Sequence, residues 1–329
     1  MPSKVMMPIR APALVAVTGA NGFIAQHCIA VLLKQGYSVV GTVRSDSKIE
    51  SVKRVHGMHP KLSVVMVIDI TNPSEYLAVL GPLSPAAVLH LAAPFHYNAT
   101  AFEKEMMVPA VRGSIAILEA CARIKSVKRV VHTNSFACIY NAAAGLQPGK
   151  VYTAKDWSPL TYQDGVEDAQ RADSLPLCPA MVFGPFLPTA RPDAISSVNT
   201  SNQMVWGVVG AGQDAAIPPT KGPCWVDVRD VAEAHFKALV VPEASGGRFL
   251  LTQGVYCNQE LADVSRQVSS KYASRIPIGE PGKREADTHY GVDATDTEKV
   301  LDLSWRSLEE CLCDLVQQLF EIEQQQLKK

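Results

Sequence analysis

The sequence predicts an α/β fold: a doubly wound parallel sheet with a smaller second lobe. Short runs of Val, Ile and Leu alternate along the first half of the chain with segments that repeat apolar residues at helical spacing. Strands of a parallel sheet are covered by helices on both faces, so they are apolar along their whole length. The predicted strands are residues 14–18, 37–43, 62–70, 86–91 and 129–133.

Three helices complete this pattern. Residues 23–34 and 99–124 carry apolar side chains at helical spacing between predicted strands. The tail 307–327 opens with a capping box, because Glu310 follows Ser307 by three residues. Apolar side chains recur along one stripe of this tail, so we expect a helix that packs on the body of the protein.

Composition and charge are those of an ordinary globular protein. Lys and Arg total 31 against 32 for Asp and Glu, 47% of the residues are apolar and 19% are charged. This balance gives no reason to expect a nucleic-acid or membrane partner. No apolar run reaches the roughly 18 residues of a membrane-spanning helix. The eight cysteines are scattered, which is typical of a reduced, cytoplasmic protein without disulfides or a metal site.

A glycine motif follows the first strand and opens the first helix. Its sequence is Thr18-Gly19-Ala20-Asn21-Gly22-Phe23-Ile24-Ala25. In this context Gly19 permits a tight turn, Gly22 lets a pyrophosphate approach the backbone, and Ala25 allows close helix packing. Backbone N–H groups at the start of the helix bind phosphate oxygens. The motif predicts a Rossmann dinucleotide-binding unit, with further cofactor contacts from Asn21, Phe23 and Ile24.

The charged residues at the end of the second strand indicate which of two cofactors, NADP or NAD, is bound. Arg44 is the first charged residue there, and a guanidinium pairs well with the 2′-phosphate of NADP. Ser45 and Lys48 follow closely enough to bind the same phosphate. Asp46 favours the other cofactor, because a carboxylate accepts from the ribose hydroxyls of NAD. We expect NADP(H) as the preferred cofactor and NAD(H) as the alternative.

With this motif in place, the chain resembles the extended short-chain dehydrogenase/reductases, which include the NAD-dependent epimerase/dehydratases. It is most similar to the dihydroflavonol-reductase-like branch of aldehyde and ketone reductases. The likeness covers nearly the whole chain and rests on an ordered set of motifs, among them Trp225-Val226-Asp227-Val228-Arg229-Asp230-Val231-Ala232. The resemblance implies cofactor contacts from Asp69 and Ile70 at the adenine and, beside the ribose and nicotinamide, from Leu91, Ala92, Ala93, Thr133, Pro179 and Val182.

The same resemblance implies that a serine, a tyrosine and a lysine carry hydride chemistry. The segment Val131-His132-Thr133-Asn134-Ser135-Phe136-Ala137 matches the strand that delivers the serine, so Ser135 is the candidate catalytic residue. Relatives carry Tyr-x-x-x-Lys on one helix, where the lysine lowers the pKa of the tyrosine that acts as general acid. This sequence contains no Tyr-x-x-x-Lys, and no lysine stands between Asp156 and Thr220.

An internal gap accounts for this absence. Trp157-Ser158-Pro159-Leu160 matches the segment before the family's catalytic helix, and Pro179 lies just after the start of the strand that follows that helix. Only residues 161–176 remain in between, so about one helix of roughly 20 residues is expected to be missing. Without it, part of one face of the sheet is expected to be uncovered.

Three functions are compatible with these residues. The first is an NADP(H)-dependent reductase of a small aldehyde or ketone, with Ser135 bound to the substrate carbonyl; family analogy alone suggests a role in secondary metabolism. The second is a dinucleotide-binding protein without catalysis, because the tyrosine and lysine are absent. The third is a sugar-nucleotide epimerase or dehydratase, which ranks last because the closer resemblance is to the carbonyl reductases.

The chain is divided between two functional parts. We assign residues 10–184 and 222–255 to the dinucleotide-binding domain, and residues 185–221 and 256–329 to the substrate-binding lobe. We expect a monomer or a homodimer whose partner is a small-molecule carbonyl substrate.

Several side chains have a structural and a functional interpretation. His90 is expected to be a packed core residue, and Asp227 and Asp230 an ion-pair cluster around Arg229. Aromatic residues either line an apolar substrate pocket or simply pack. The candidates for the pocket are Phe95, Tyr97, Phe136 and Trp206.

Overall fold

The computed structural model describes residues 7–93, 101, 103–167, 179–285 and 288–328, with only the backbone for 165–167. Its main element is a five-stranded parallel sheet in the order β3-β2-β1-β4-β5. The strands are β1 (Leu14–Thr18), β2 (Ser38–Val43), β3 (Leu62–Met66), β4 (Ala87–His90) and β5 (Arg129–His132). The predicted doubly wound sheet is confirmed.

Ten α-helices and five short strands accompany the sheet in the described ranges. The helices are α1 (Phe23–Lys34), α2 (Asp46–Val55), α3 (Pro73–Leu80), α4 (Val108–Arg123), α5 (Tyr162–Glu167), α6 (Thr200–Val209), α7 (Val228–Val240), α8 (Asn258–Val268), α9 (Thr295–Leu301) and α10 (Leu308–Gln326). A π-helical turn, Glu103–Met107, precedes α4. The short strands are β6 (Val151–Thr153), β7 (Met181–Phe183), β8 (Cys224–Asp227), β9 (Gly254–Val255) and β10 (Gly291–Asp293).

Both faces of the parallel sheet are covered, which is why its strands are apolar. In β1, Val15 and Val17 pack in a cluster with α1 and α7, whereas Ala16 packs in a second cluster with α3 and α4. All three side chains are fully buried. Alternate residues of one strand therefore belong to opposite layers, as a three-layer fold requires.

The third strand is shorter than predicted. We expected residues 62–70 to be extended, but β3 ends at Met66. The backbone N–H groups of Ile68 and Asp69 donate to the carboxylate of Glu75, at 2.8 and 3.1 Å. These hydrogen bonds turn the chain toward α3, so the segment after β3 is a loop.

A second core cluster lies outside the parallel sheet. Residues of β7 and β8, notably Phe183 and Trp225, pack with α6, α8 and α10. This cluster therefore packs two strands of the assigned dinucleotide-binding domain against three helices of the assigned substrate-binding lobe. The pairing of β6 with β10 joins the two parts, because it places residues 291–293 beside residues 151–153.

The outer edge of β5 faces a cavity instead of another strand. Among the described residues, β5 pairs only with β4. The cavity has a volume of about 390 Å³, with residues 128–134 on one wall and residues 244–249 together with Leu251 on the other. Pro179, which also lines this cavity, forms an isolated parallel bridge with Leu251, next to a three-stranded sheet in the order β7-β8-β9.

One face of α4 is apolar and exposed. Four side chains that recur at spacings of three and four residues lie on the side of the helix opposite to its buried residues. Their exposed fractions range from 37% to 49%, which is unusual for an apolar stripe on a globular protein. They are Val108, Val111, Ile115 and Leu118.

The capping box of α10 is formed as predicted. The Ser307 hydroxyl accepts from the Glu310 N–H at 3.2 Å, and the Glu310 carboxylate accepts from the Ser307 N–H at 2.8 Å. The predicted apolar stripe is buried in the second core cluster. This stripe consists of Leu308, Leu312, Leu315, Leu319 and Ile322.

Replacing Ser307 with alanine is expected to lower the free energy of unfolding by about 1 kcal/mol, because the N–H of Glu310 loses its acceptor. Urea unfolding followed by circular dichroism measures this difference. Ser304→Ala is the matched control, since Ser304 is exposed and forms no hydrogen bond with any described residue. Equal stability of the two variants would contradict the prediction.

Candidate functional site

The carboxyl ends of β1 to β4 enclose a narrow groove of about 160 Å³. β1 and β4 are adjacent in the sheet although β2 and β3 follow β1 in the sequence, so the strand order reverses here. Ligands of doubly wound folds bind at such a switch point. The groove brings together eight of the predicted cofactor residues: Gly19, Asn21, Gly22, Arg44, Ile70, Leu91, Ala92 and Ala93.

The glycine loop forms one wall of this groove in the predicted manner. Gly19 has φ +65°, and a Cβ atom there would lie 3.0 Å from the Cα of Ala92. The N–H of Gly22 donates to the carbonyl of Gly19 at 2.8 Å, which closes the turn. Gly22 is also the N-cap of α1 and offers no capping side chain. The first N–H groups of α1 are therefore available to an anion in the groove.

A hydroxyl at the end of β1 organises the opposite wall. Thr18 Oγ1 accepts from the N–H groups of Leu91 and Ala92, each at 3.0 Å. It lies 2.9 Å from Nδ1 of His90. Because the hydroxyl has one hydrogen to donate, Nδ1 is the acceptor and Nε2 carries the ring proton. Burial lowers the pKa of His90 to about 3, so the neutral ring is a packed core residue, as predicted.

Cationic side chains flank the groove at the end of β2. Arg44 lines the groove and is exposed, and Lys48 lies in the first turn of α2. Neither side chain forms a hydrogen bond or ion pair with any residue that the structure describes. The hydroxyl of Ser45, the N-cap of α2, lies 3.1 Å from that of Ser47. This corner of the groove therefore offers two unpaired positive charges beside a helix N-terminus.

The loop after β3 forms the end of the groove next to Arg44. Ile70 lines the groove and packs on Gly113 of α4, where an added Cβ would meet its Cδ1 at 3.4 Å. The carboxylate of Asp69 accepts from the N–H and hydroxyl of Thr71, which lower its pKa. Asp69 does not line the groove, so its predicted contact with adenine stays a prediction.

Ser135 follows β5 directly and lies at the same carboxyl edge of the sheet. Its Oγ accepts from the N–H of Ala137 at 3.1 Å and so caps a short 3-10 helix. The hydroxyl hydrogen has no acceptor among the described residues. Ser135 can therefore donate a hydrogen bond to a substrate oxygen without losing its capping role.

Other predicted residues near Ser135 are used in packing. Thr133 Oγ1 lies 2.8 Å from Nε2 of His235, whose Nδ1 lies 2.7 Å from the carbonyl of Val231. Since Nδ1 must donate to that carbonyl, the Thr133 hydroxyl donates to Nε2 and points into the core. Val182 is buried, and Pro179 lines the cavity beside β5.

Four further cofactor or pocket residues lie apart from the groove. Phe23 and Ile24 begin α1, where their partly buried side chains pack against the core clusters, and their predicted cofactor contacts stay predictions. Phe136 is buried among Tyr140, Tyr152 and Tyr290, whereas Trp206 packs on Phe320 in the other cluster. The predicted pocket is therefore not assembled from these two residues. Phe95 and Tyr97 lie outside the described residues.

Neither Tyr152 nor Tyr162 replaces the tyrosine of the missing Tyr-x-x-x-Lys motif. The hydroxyl of Tyr152 accepts from the N–H of Asn141 at 3.0 Å and donates to Gln147. The ammonium of Lys155, three residues on, pairs with Asp296 at 2.9 Å. The hydroxyl of Tyr162 donates to Glu103 at 2.9 Å, and this carboxylate raises its pKa. A raised pKa is the opposite of what a general acid at neutral pH requires.

The two carboxylates at the junction of β8 and α7 are structural, as predicted, although their partners differ. Asp227 pairs with Arg229 at 2.7 Å and caps α7. Asp230 pairs instead with Arg306, whose backbone N–H it also accepts at 2.8 Å. Within the described ranges there is no cluster of three or more His, Cys, Asp or Glu side chains placed for a metal ion. No helix in that part of the chain has the length and apolar character to span a membrane.

Several known proteins share these features. The model of the family described as "NAD dependent epimerase/dehydratase family" matches residues 15–163 of this chain. The NADPH-dependent methylglyoxal reductase GRE2 of Saccharomyces cerevisiae is 30% identical, with 94% of this chain and 98% of that protein covered. The ketoreductase azaE of Aspergillus niger is 31% identical, with 93% and 97% covered. A crystal structure of yeast methylglyoxal/isovaleraldehyde reductase Gre2 complexed with NADPH has a TM-score of 0.85 at 28% identity, with 95% and 99% covered.

The lengths of these alignments bear on the internal gap. They run over 340 and 336 positions, which is more than the 329 residues of this chain. The relatives therefore have residues inside the aligned region that this chain lacks. Both relatives nevertheless match the chain almost from end to end. The chain belongs to the NAD-dependent epimerase/dehydratase family.

Proposed function

We propose that this chain binds NADP(H) in the groove at the carboxyl edge of its sheet and that its reaction is the reduction of a small aldehyde or ketone. The observation that carries the proposal is the corner formed by Arg44 and Lys48, two cations beside the groove that have no partner among the described residues. A 2′-phosphate requires such charges, whereas the ribose hydroxyls of NAD require an acceptor. The named NADPH dependence of GRE2 supports the same choice.

The residues of the groove fit a dinucleotide on steric grounds as well. Gly19 approaches Ala92 so closely that a side chain at position 19 would have to displace the backbone. The free N–H groups at the start of α1 lie beside it and bind a pyrophosphate. When bound, the reduced nicotinamide supplies the hydride. Ser135 donates its hydroxyl hydrogen to the carbonyl oxygen and so holds the substrate at the carboxyl edge of β5.

A second function, dinucleotide binding without turnover, is favoured by the missing Tyr-x-x-x-Lys. We propose that the residues absent from this chain lie between Trp157 and Pro179 and include that motif. Sequencing the transcript across these codons tests this placement. An insertion that encodes Tyr-x-x-x-Lys would support the reductase, whereas the unchanged sequence would favour the second function.

Arg44→Ala is expected to weaken NADPH binding by about tenfold or more, because a charge-assisted hydrogen bond to phosphate contributes about 1.5–3 kcal/mol. NADH lacks the phosphate, so its affinity should change little. Fluorescence titration of both cofactors measures the difference. The matched control is Arg54→Ala at the far end of α2, which should leave both affinities unchanged. An equal loss for NADPH and NADH would argue against a phosphate contact.

Thr18→Val is expected to weaken NADPH binding by about tenfold, because the N–H groups of Leu91 and Ala92 lose their common acceptor and the groove wall relaxes. Thr18→Ser retains the hydroxyl and should bind as the wild type does. Cofactor titration is combined with a thermal melt, so that loss of fold is distinguished from loss of affinity. Unchanged binding by a folded Thr18→Val protein would refute the role of the hydroxyl.

Turnover distinguishes the two proposed functions. If the chain is a reductase, NADPH oxidation with methylglyoxal or isovaleraldehyde should be measurable, and Ser135→Ala should lower kcat by about 10- to 100-fold. Ser304→Ala is the control for the same chemical change at an exposed position. A wild-type protein that binds NADPH and oxidises it with neither aldehyde nor with a wider panel of ketones would favour the non-catalytic function.

A further inference from the structure

Glu75 forms an unusual contact for a surface carboxylate. It is the third residue of α3, and one of its oxygens, Oε2, accepts from two successive backbone N–H groups. These belong to Ile68 and Asp69, at 2.8 and 3.1 Å. A carboxylate in the first turn is also stabilised by the helix dipole of α3. The geometry holds the loop after β3 against the start of α3.

This loop is the wall of the groove farthest from the glycine turn. Val67 and Ile70, on either side of the two N–H groups, both line the groove. The strand order places β3 beyond β2, and Arg44 directly follows the end of β2. A dinucleotide with its pyrophosphate at Gly19 and its 2′-phosphate at Arg44 therefore places its adenosine beside Val67 and Ile70.

The rest of the loop has hydrogen bonds of its own. The Asp69 carboxylate binds Thr71, and the N–H of Asn72, the N-cap of α3, donates to the carbonyl of Asp69 at 3.1 Å. These bonds join the end of the loop to the start of α3. Glu75 adds a second connection to the same helix, at the beginning of the loop.

We propose that Glu75 is a positioning residue for the adenosine half of the cofactor, an inference that rests on the proposed binding of NADP(H). It touches no part of the dinucleotide. By fixing the peptide N–H groups of Ile68 and Asp69, it holds Val67 and Ile70 at the distance that the adenine ring requires. Without it, the binding energy of the adenosine half is spent on ordering the loop.

The test compares three probes on Glu75→Ala and Glu75→Gln. NADPH and adenosine 2′,5′-bisphosphate contain the adenosine half, and reduced nicotinamide mononucleotide lacks it. Calorimetric titration of Glu75→Ala should show that NADPH and adenosine 2′,5′-bisphosphate both bind about tenfold more weakly. The affinity for reduced nicotinamide mononucleotide should not change. Glu75→Gln keeps an oxygen acceptor for both N–H groups and should recover most of the affinity.

Glu119→Ala is the matched control, because Glu119 is exposed on α4 and forms no hydrogen bond or ion pair with the described residues. Wild-type affinity of Glu75→Ala for adenosine 2′,5′-bisphosphate would overturn the inference, as would an equal loss for all three probes. If the wild type binds neither NADPH nor the bisphosphate, the proposed function itself fails and this inference with it. If the wild type binds both probes and Glu75→Ala binds them equally well, the inference is overturned but the proposed function is not.

Discussion

The groove depends on how closely β1 and β4 approach each other at their carboxyl ends, and the hydroxyl of Thr18 controls that distance. It accepts from the backbone of Leu91 and Ala92 and donates to a neutral, buried His90. The tight turn at Gly19 then lies in contact with Ala92. A dinucleotide site needs this close approach, because backbone N–H groups must reach the pyrophosphate without an intervening side chain.

The groove and the internal gap lie in different parts of the sheet. All residues that line the groove belong to β1 to β4 or to the loops that follow them, and all precede residue 94. The gap that we propose lies after β5, which among the described residues pairs only with β4 and borders a cavity. The groove therefore has its complete lining without any residue from the neighbourhood of the gap.

The exposed stripe of α4 and the open edge of β5 have a common physical meaning. Apolar side chains and unpaired strand edges both promote association with other chains when they are left uncovered. Both lie on elements that immediately flank Ser135 in the sequence, α4 before it and β5 directly adjoining it.

Local sequence explains why the glycine motif, the ends of α1 and the capping box of α10 were predicted correctly. Each depends on residues within one or two helical turns, and all of them have the expected geometry. Arg44 lines the groove as expected from its place after the second strand, and its contact with a phosphate stays a prediction. The hydrogen bonds of Thr18 and Glu75 were not anticipated. Thr18 acts on residues more than 70 positions away, and no spacing rule connects them.

The sequence by itself determined the fold class, the dinucleotide motif and the absence of Tyr-x-x-x-Lys, because these depend on periodicity and on short motifs. Only the tertiary structure decided which side chains meet. It placed Phe136 and Trp206 in separate clusters, turned Thr133 into the core and bound the loop after β3 to Glu75. The physical reason is that such contacts depend on how strands and helices pack, which residue types do not specify one by one.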